Sequence, residues 1–438
     1  MDTVSGSSVG GYIAEEDTIG VLPATPTWHE LDVETWGETG GKVNVERNKR
    51  HSASRQNSRP TISGFDYLAG WNNKMRPTNN QLSLKSFLFA DYRARANSKI
   101  DFPAGDISIA VAADNIVTVT AAASTDFTEA NGFVPGNWIA CFSDDPLKRL
   151  AKEFFGRIKE VTDTSNIVLD RVTTPLTADA GAGIAVEMHI GKFIRNEKDI
   201  ALIQENSLTL KRTLGMYNGL PQSEHVEGLV GTQFKINAPS EKPVSCELSY
   251  IAICDMKIPN DTDLTAANTV NYIPEDAYNT SSDVYQSMIT IYEDGAPITD
   301  QIFGIVTTSE FTISNNLKAK KGHTRDAGKA KPGGFGVSTG SFDVDGKIDV
   351  YLSTVATDDL VKAGANVAYH LITSRKGSAY ILDVPDIMNG NGLYNIPADE
   401  EVTIPLDAMA SECSEGYTVG MIFFDGLPDS ASPETDCN

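Results

Sequence analysis

Alternation of apolar and polar residues at strand length recurs along most of this chain. Val117-Thr-Val-Thr120, Asn166-Ile-Val-Leu-Asp170, Cys246-Glu-Leu-Ser-Tyr-Ile-Ala-Ile-Cys254 and Lys347-Ile-Asp-Val-Tyr-Leu352 alternate or run apolar, and Gly, Asn and Asp punctuate the intervals. Asp294-Gly295 and Asp345-Gly346 have the composition of two-residue hairpin turns. Helical spacing is confined to two stretches. One runs from Asn80 to Arg95, with Leu82, Leu84, Phe87, Leu88 and Tyr92 near one face. The other runs from Ala356 to Ala363, where Asp358 and Asp359 suit an N-terminal turn and Gly364 a stop. The pattern predicts a mainly β protein.

The order of these elements repeats. Gly41-Lys-Val-Asn-Val45 leads into a basic loop, then the strand-like Thr61-Ile-Ser-Gly-Phe65, then the first helical stretch. Glu310-Phe-Thr-Ile-Ser314 leads into a second basic segment, then Gly340-Ser-Phe-Asp-Val344, then the second helical stretch. One domain type used twice, each copy a β-sandwich or barrel with a flanking helix, accounts for the repetition. Residues 104–190 have their own rhythm of short strands and read as a small inserted β domain, with Phe133, Trp138 and Phe155 as its core. Residues 1–103 then hold an N-terminal arm, the basic loop 47–59 and the first part of domain one, which resumes over 191–259. Residues 260–284 read as a polar linker, 285–427 as domain two, and 428–438 as an acidic, disordered tail.

Charge changes the picture. The 438-residue chain carries a formal net charge of −23, so its surface as a whole repels phosphate, and the overall basic face of a DNA-binding protein is missing. Against that background the two basic segments stand out. Arg47, Lys49, Arg50, Arg55 and Arg59 lie in the first, and Lys318, Lys320, Lys321, Arg325, Lys329 and Lys331 in the second. Each is expected to be mobile until it meets a partner. Five cysteines without a Cys-x-x-Cys spacing read as reduced thiols. The start of the chain does not read as a signal peptide, and apolar runs fall short of the ~20 residues that span a bilayer, so synthesis in a cytoplasm and no membrane partner are expected.

Candidate chemistry is sparse. The six histidines are scattered, and Trp28-His29-Glu30 lacks the second histidine of a zinc-protease helix. Asp343-x-Asp345-Gly346-x-x-Asp349 has a calcium loop's beginning without its terminal Glu. Gly333-Gly334-Phe335-Gly336 has no Lys-Ser/Thr of a phosphate loop. We expect no enzyme, no metal and no cofactor. Trp28 and Trp36 read as packing anchors of the N-terminal arm.

Gly20-Val-Leu-Pro-Ala-Thr-Pro-Thr-Trp28, followed by the Arg/Ser/Asn loop with Ser54-Arg-Gln-Asn-Ser-Arg-Pro60, resembles the start of major tail tube proteins of long-tailed, non-contractile (siphovirus-type) bacteriophages. The resemblance implies tandem tail-tube sandwiches whose inner sheets join into a barrel around a channel. It also implies self-assembly into stacked rings in the virion tail, a tape measure protein in the lumen during assembly, tail terminator and distal tail proteins at the ends, and viral DNA passing through without tight binding. Two tube domains per chain let three chains supply a pseudo-sixfold ring. DNA slides past carboxylates more freely than past lysines. Lumen candidates are therefore polar positions of Leu208–Arg212, Cys246–Ile253 and Lys347–Leu352, with Glu247 and Asp349 foremost. The basic segments are then expected to contact the next ring or subunit, and the inserted domain to face outward and be removable without harm to its host. A β-rich adhesin-like or decoration protein is the alternative from another class.

Overall fold

A computed structural model describes residues 9–47, 59–112, 116–143, 153–174, 176, 185–217, 220–259, 261–293, 296–297, 306–320, 325–326, 329–330, 336–351, 367–375, 377–396 and 401–428. The protein is mainly β, as its alternating pattern predicts. Its centre is a curled antiparallel sheet. In spatial order the strands are Gly40–Glu46, Thr61–Lys74, Ser245–Ala252, the second half of Leu220–Ala238, Val306–Ser314, Asp343–Tyr351, Thr403–Ala410 and the end of Ser378–Asn391.

Two long strands leave this sheet and carry its ends into flanking sheets. The first half of Leu220–Ala238 lies between Leu208–Tyr217 and Cys254–Pro259, and Gly10–Glu15 extends that layer. The first half of Ser378–Asn391 lies between Val367–Arg375 and Gly420–Asp425, flanked in turn by Val284–Glu293 and Lys192–Arg195. The same order of pairings thus occurs twice in the chain. One core fills the space between curled and flanking sheets, from Trp71, Phe234 and Leu248 in the first half to Tyr369, Leu382 and Phe423 in the second.

Two local expectations are corrected. Asp345-Gly346 is not a turn. It lies within strand Asp343–Tyr351, with Gly346 opposite Phe311 on one side and Ala408 on the other. A Cβ there would sit 2.6 Å from the Phe311 ring and 2.9 Å from the Glu310 carbonyl, so glycine is required by close approach and not by a bend. The helix of 80–95 is shorter than its periodicity, spanning Gln81–Leu88. Phe89 takes the left-handed conformation (φ 49°), its carbonyl accepts from Gln204 N, and Arg93 N donates to Phe193 O. Tertiary hydrogen bonds win over continued helix there. The stretch 356–363, the turn 294–295 and the tail 429–438 lie outside the described residues, although Glu293 and Ala296 pair across that turn.

A separate seven-stranded sheet runs from Lys99 to Ile190. One of its faces closes its own core, with Phe102, Phe127 and Phe133. Trp138 and Phe155, expected in that core, instead point from the other face into a shared cluster with Phe193, Ile372, Ile381, Ile422 and Phe424. The insertion is therefore cemented to the second half of the chain, against the expectation that it is removable. Charge reinforces the seam. Arg157 reaches Asp170 (2.8 Å), Asp383 (3.3 Å) and Glu415 (3.1 Å), while Arg171 meets Asp383 (2.6 Å) and Tyr417 donates to Asp383 (2.8 Å). Arg157 is 2% exposed and Asp383 fully buried. The cost of burying these charges is offset by their pairing, although Arg171 Nε and Nη1 meet no hydrogen-bond partner among the described residues.

The segment after Pro259, expected as a linker, is also tied down. Asp261 accepts from Ser223 and contacts Lys211 and His225 (2.9 Å each), and Thr269–Val270 pairs in parallel with Trp28–Glu30.

Two measurements follow. Gly346→Ala should lower stability by about 1–3 kcal/mol through overpacking against Phe311 and the Glu310 backbone; a thermal midpoint equal to the native one would show that the close approach does not require glycine. The second concerns pH. Burial alone would raise the Glu415 carboxyl, but attraction and hydrogen bonding from Arg157 and a bond with Cys413 outweigh it and hold the group down at about 2. An unfolded glutamate titrates near ~4.3. The charged form therefore favours folding above that value, and its contribution is lost as pH falls towards the folded value. Glu415→Gln should be destabilised at neutral pH by about 1–3 kcal/mol, and paired denaturant titrations should show the gap narrowing steadily below about pH 5. A gap constant down to about pH 3 would place Glu415 outside the network.

Candidate functional site

Strand parity divides the curled sheet into two unlike faces. Alternate residues Trp71, Leu248, Phe234, Ile313 and Val344 enter the core. Their neighbours form three polar rows on the other face. Asn72, Glu247, Lys235, Thr312, Asp345 and Met409 are successive cross-strand partners. Lys74, Ser245, Asn237, Glu310, Lys347 and Asp407 make the row on one side. Gly70, Ser249, Gln233, Ser314 and Asp343 make the row on the other.

The rows are acidic on balance. Glu247, Glu310, Asp343, Asp345 and Asp407 stand in them, and Asp349 lies two residues along from Lys347 on the same face. Three lysines oppose them, each with a carboxylate nearby: Lys235 bridges Glu310 (2.9 Å), Lys74 bridges Glu34 (2.7 Å), and Lys347 lies 3.9 Å from Asp349. Asp349 also accepts from Thr308 Oγ1 (2.8 Å). The three rows hold no aromatic side chain on which a base could stack. Such a face is negative on balance, its lysines each lie beside a carboxylate, and its three rows offer a polyanion no aromatic foothold.

The structure brings Glu247 and Asp349 onto this one face. Leu208–Arg212 is elsewhere: it belongs to a flanking sheet, where Thr209 donates to Glu16 and Lys211 is buried against Asp261. Lys235, Glu310, Asp345 and Asp407 went unnoticed in the sequence because their common face depends on the register of strands far apart in the chain.

Both basic segments leave the same end of the curled sheet, one between Glu46 and Thr61, the other between Ser314 and Asp343. The second is not a bare loop. Lys318–Lys320 pairs with Gly336–Ser338 and Arg325–Asp326 with Lys329–Ala330, so the arm contains β-hairpin ladder, with Lys318 and Lys320 exposed. Arg47 and Arg59 are exposed at the foot of the first arm. Lys49, Arg50, Arg55, Lys321 and Lys331 lie outside the described residues, as do the side chains of Arg325 and Lys329. Trp28 is buried, its Nε1 donating to Asp263 (3.2 Å) and its ring edge-on to His225. Trp36 is partly buried against Trp71, with Arg212 over its ring.

A groove of about 800 Å³ beside the helix is lined by His29, Asp32, Asn80, Lys85, Lys192 and Tyr272. Its charges are committed to structure: Asp32 to Arg76, Lys85 to Glu15 and Asp91, Lys192 to Gln81. Among the described residues no group of three His, Cys, Asp or Glu could hold a metal ion, and no helix is long and apolar enough to cross a membrane.

The described residues thus form a mainly β protein built on a curled, half-barrel sheet with one face acidic on balance, one apolar face and basic segments at a single end. Sequence comparison supplies the family. Residues 6–410 match the family described as phage tail tube protein, and the chain belongs to it. It is a component of the virion tail. No curated protein matches the chain.

Proposed function

We propose that the protein polymerises head to tail into the tube of a long-tailed, non-contractile phage, and that the polar face of the curled sheet lines the channel through which the genome is ejected. The polar face, whose three rows together hold more carboxylates than lysines, is the observation that carries this reading. A lumen rich in cations would bind phosphates through counterion release and stall the duplex. A carboxylate-rich one leaves no deep minimum along the path.

Layer order supports an outward position for the insertion. From the polar face inwards come the curled sheet, the main core, the flanking sheet of the second half and then the insertion, which is thus farthest from the channel. The doubled order of pairings favours rings of three chains with six sheet units. As the family resemblance implies, a tape measure protein fills the lumen during assembly, and terminator and distal tail proteins close the ends.

The arms act along the axis. They leave one end of the curled sheet, whereas the other end carries Glu241, Glu275 and Glu401 near the 239–244 turn and the return from Asn391 to Thr403, with Lys242 in the same turn and Asp276 already paired with Arg375 (2.6 Å). Cationic arms of one ring therefore meet an acidic end of the next. Exposed ion pairs contribute about 0–1 kcal/mol each, so stacking relies on their repetition around the ring.

Electron microscopy of the purified protein tests the reading: tubes are expected, with three chains per ring. Discrete monomers under all assembly conditions would overturn polymerisation, and six chains per ring would overturn the count alone. Replacing Arg47, Lys49, Arg50, Arg55 and Arg59 by Ser should shorten or abolish tubes while leaving the fold intact, the effect mimicked by high salt; a native length distribution at low salt would remove the arms from stacking. Glu247→Lys, Asp345→Lys and Asp407→Lys together should leave tubes intact and slow genome release from phage carrying them. Unchanged release would move the channel to another face.

A further inference from the structure

The curled sheet ends in two edges with no strand on them among the described residues, the outer side of Gly40–Glu46 and the side of Met388–Asn391 away from Thr403–Ala410. We propose that these edges pair with each other between neighbouring chains, in the register that the chain already uses once internally, so that Lys42 of one chain lies opposite Gly390 of the next. The inference rests on the tube reading and names the seam that closes its rings.

The template is the junction between the two halves, where Gln233 to Ala238 runs antiparallel to Ser309–Ser314. Its participants have counterparts at the bare edges. Each long strand changes sheets just after a last flanking pair, Leu208 with Leu229 and Val367 with Ile387. The next pairs are Val230 with Ile251, and Met388 with Met409. Counting on from there, Gln233 opposite Ser249 corresponds to Gly390 opposite Asp407. Across the sheet, Asp66 opposite Lys42 corresponds to Asp343 opposite Ser314. Since Gln233 faces Ser314 within the chain, Gly390 faces Lys42 between chains.

Two independent features fit. The pleat stays in phase, because Lys42 and Gly390 both belong to the polar face, as a register off by one residue would not allow. Exposed large apolar side chains also stand on both edge strands, Val43 (46%) and Val45 on one and Met388 (54%) on the other. Apolar groups left in water on both sides of a gap are covered when it closes. The two seams are not equal. Inside the chain, buried Asn315 donates to Phe87 O (2.8 Å) and Gly231 O (2.7 Å), clasping helix and sheet together. Val43 stands at the corresponding position, so the seam between chains replaces that amide with apolar contact. Gly41 N already donates to Asp255 Oδ2 (3.1 Å), so the new ladder starts at Val43, the next residue whose main-chain groups point the same way.

Cysteine pairs test the register in assembled tubes. Lys42 is exposed, and a Cβ on Gly390 meets nothing closer than 3.8 Å, so both positions accept the change. Under mild oxidation Lys42→Cys with Gly390→Cys should move most of the chain into covalent multimers on a non-reducing gel, as should the adjacent pair Asn44→Cys with Met388→Cys. Asn44→Cys with Gly390→Cys should not. Cross-linking of that third pair alone would overturn the register, and no cross-linking by any pair in intact tubes would overturn the seam. Failure of the native chain to form tubes is a separate result, which would remove the tube reading and the seam together.

Discussion

A β-sheet stops at an edge of unpaired amides and carbonyls, and such an edge must be covered, charged or joined to another strand. The ladder between Gln233–Ala238 and Ser309–Ser314 meets that constraint inside this chain. Without it the first half would end at Leu220–Ala238 and the second at Val306–Ser314, each with a polar face of only four strands. With it, eight strands share one curvature, one core and one acidic surface. Asn315 marks the point where the constraint is most demanding. Its side-chain amide satisfies two main-chain carbonyls buried at the meeting of helix, bulged strand and second half, where water cannot reach them.

Burial on both faces explains the other departures from a simple sandwich. The flanking sheet of the second half has apolar residues on each side, so something must cover Ile372, Ile381, Ile422 and Phe424. The insertion does so, with Trp138, Phe142 and Phe155. Arg157, Arg171 and Asp383 lie within the same contact, where an unmatched charge would be costly, and their mutual pairing fixes how the insertion sits. The flanking sheet of the first half is covered differently. There the chain from Glu16 to Trp28 and the stretch after Asp261 lie over buried Thr209, Lys211 and His225, and the Trp28 ring packs on that polar cluster. Equivalent sheets in one chain have thus been capped by unrelated means.

Charge is segregated by geometry more than by composition. The −23 balance is spread over the chain. Strand alternation sorts part of it onto one face, while the two long connections at one end of the curled sheet collect much of the cation. The face of the sheet is thus negative on balance and its end cationic. The same residues in a different register would give neither surface.

The sequence alone determined that strands dominate, where many of them lie, that two basic segments occupy matching places, and which family the N-terminal motif resembles. These are local properties: alternation with period two needs only neighbours, and so does a run of lysines. Glu247 and Asp349 could be picked as polar positions of strands for the same reason. Only the tertiary structure decided that they share a face with Lys235, Glu310 and Asp345, since a face is made by pairing residues tens to hundreds of positions apart. Gly346 was misread because a turn dipeptide and a glycine crossed by a phenylalanine look alike until Phe311 is brought opposite it. The helix past Leu88 was overextended because its apolar spacing continues while its hydrogen bonds go to Phe193 and Gln204. Trp138 and Phe155 were assigned to the wrong core because hydrophobicity tells that a side chain is buried, not which neighbour buries it. That choice belongs to long-range packing, which local pattern does not encode.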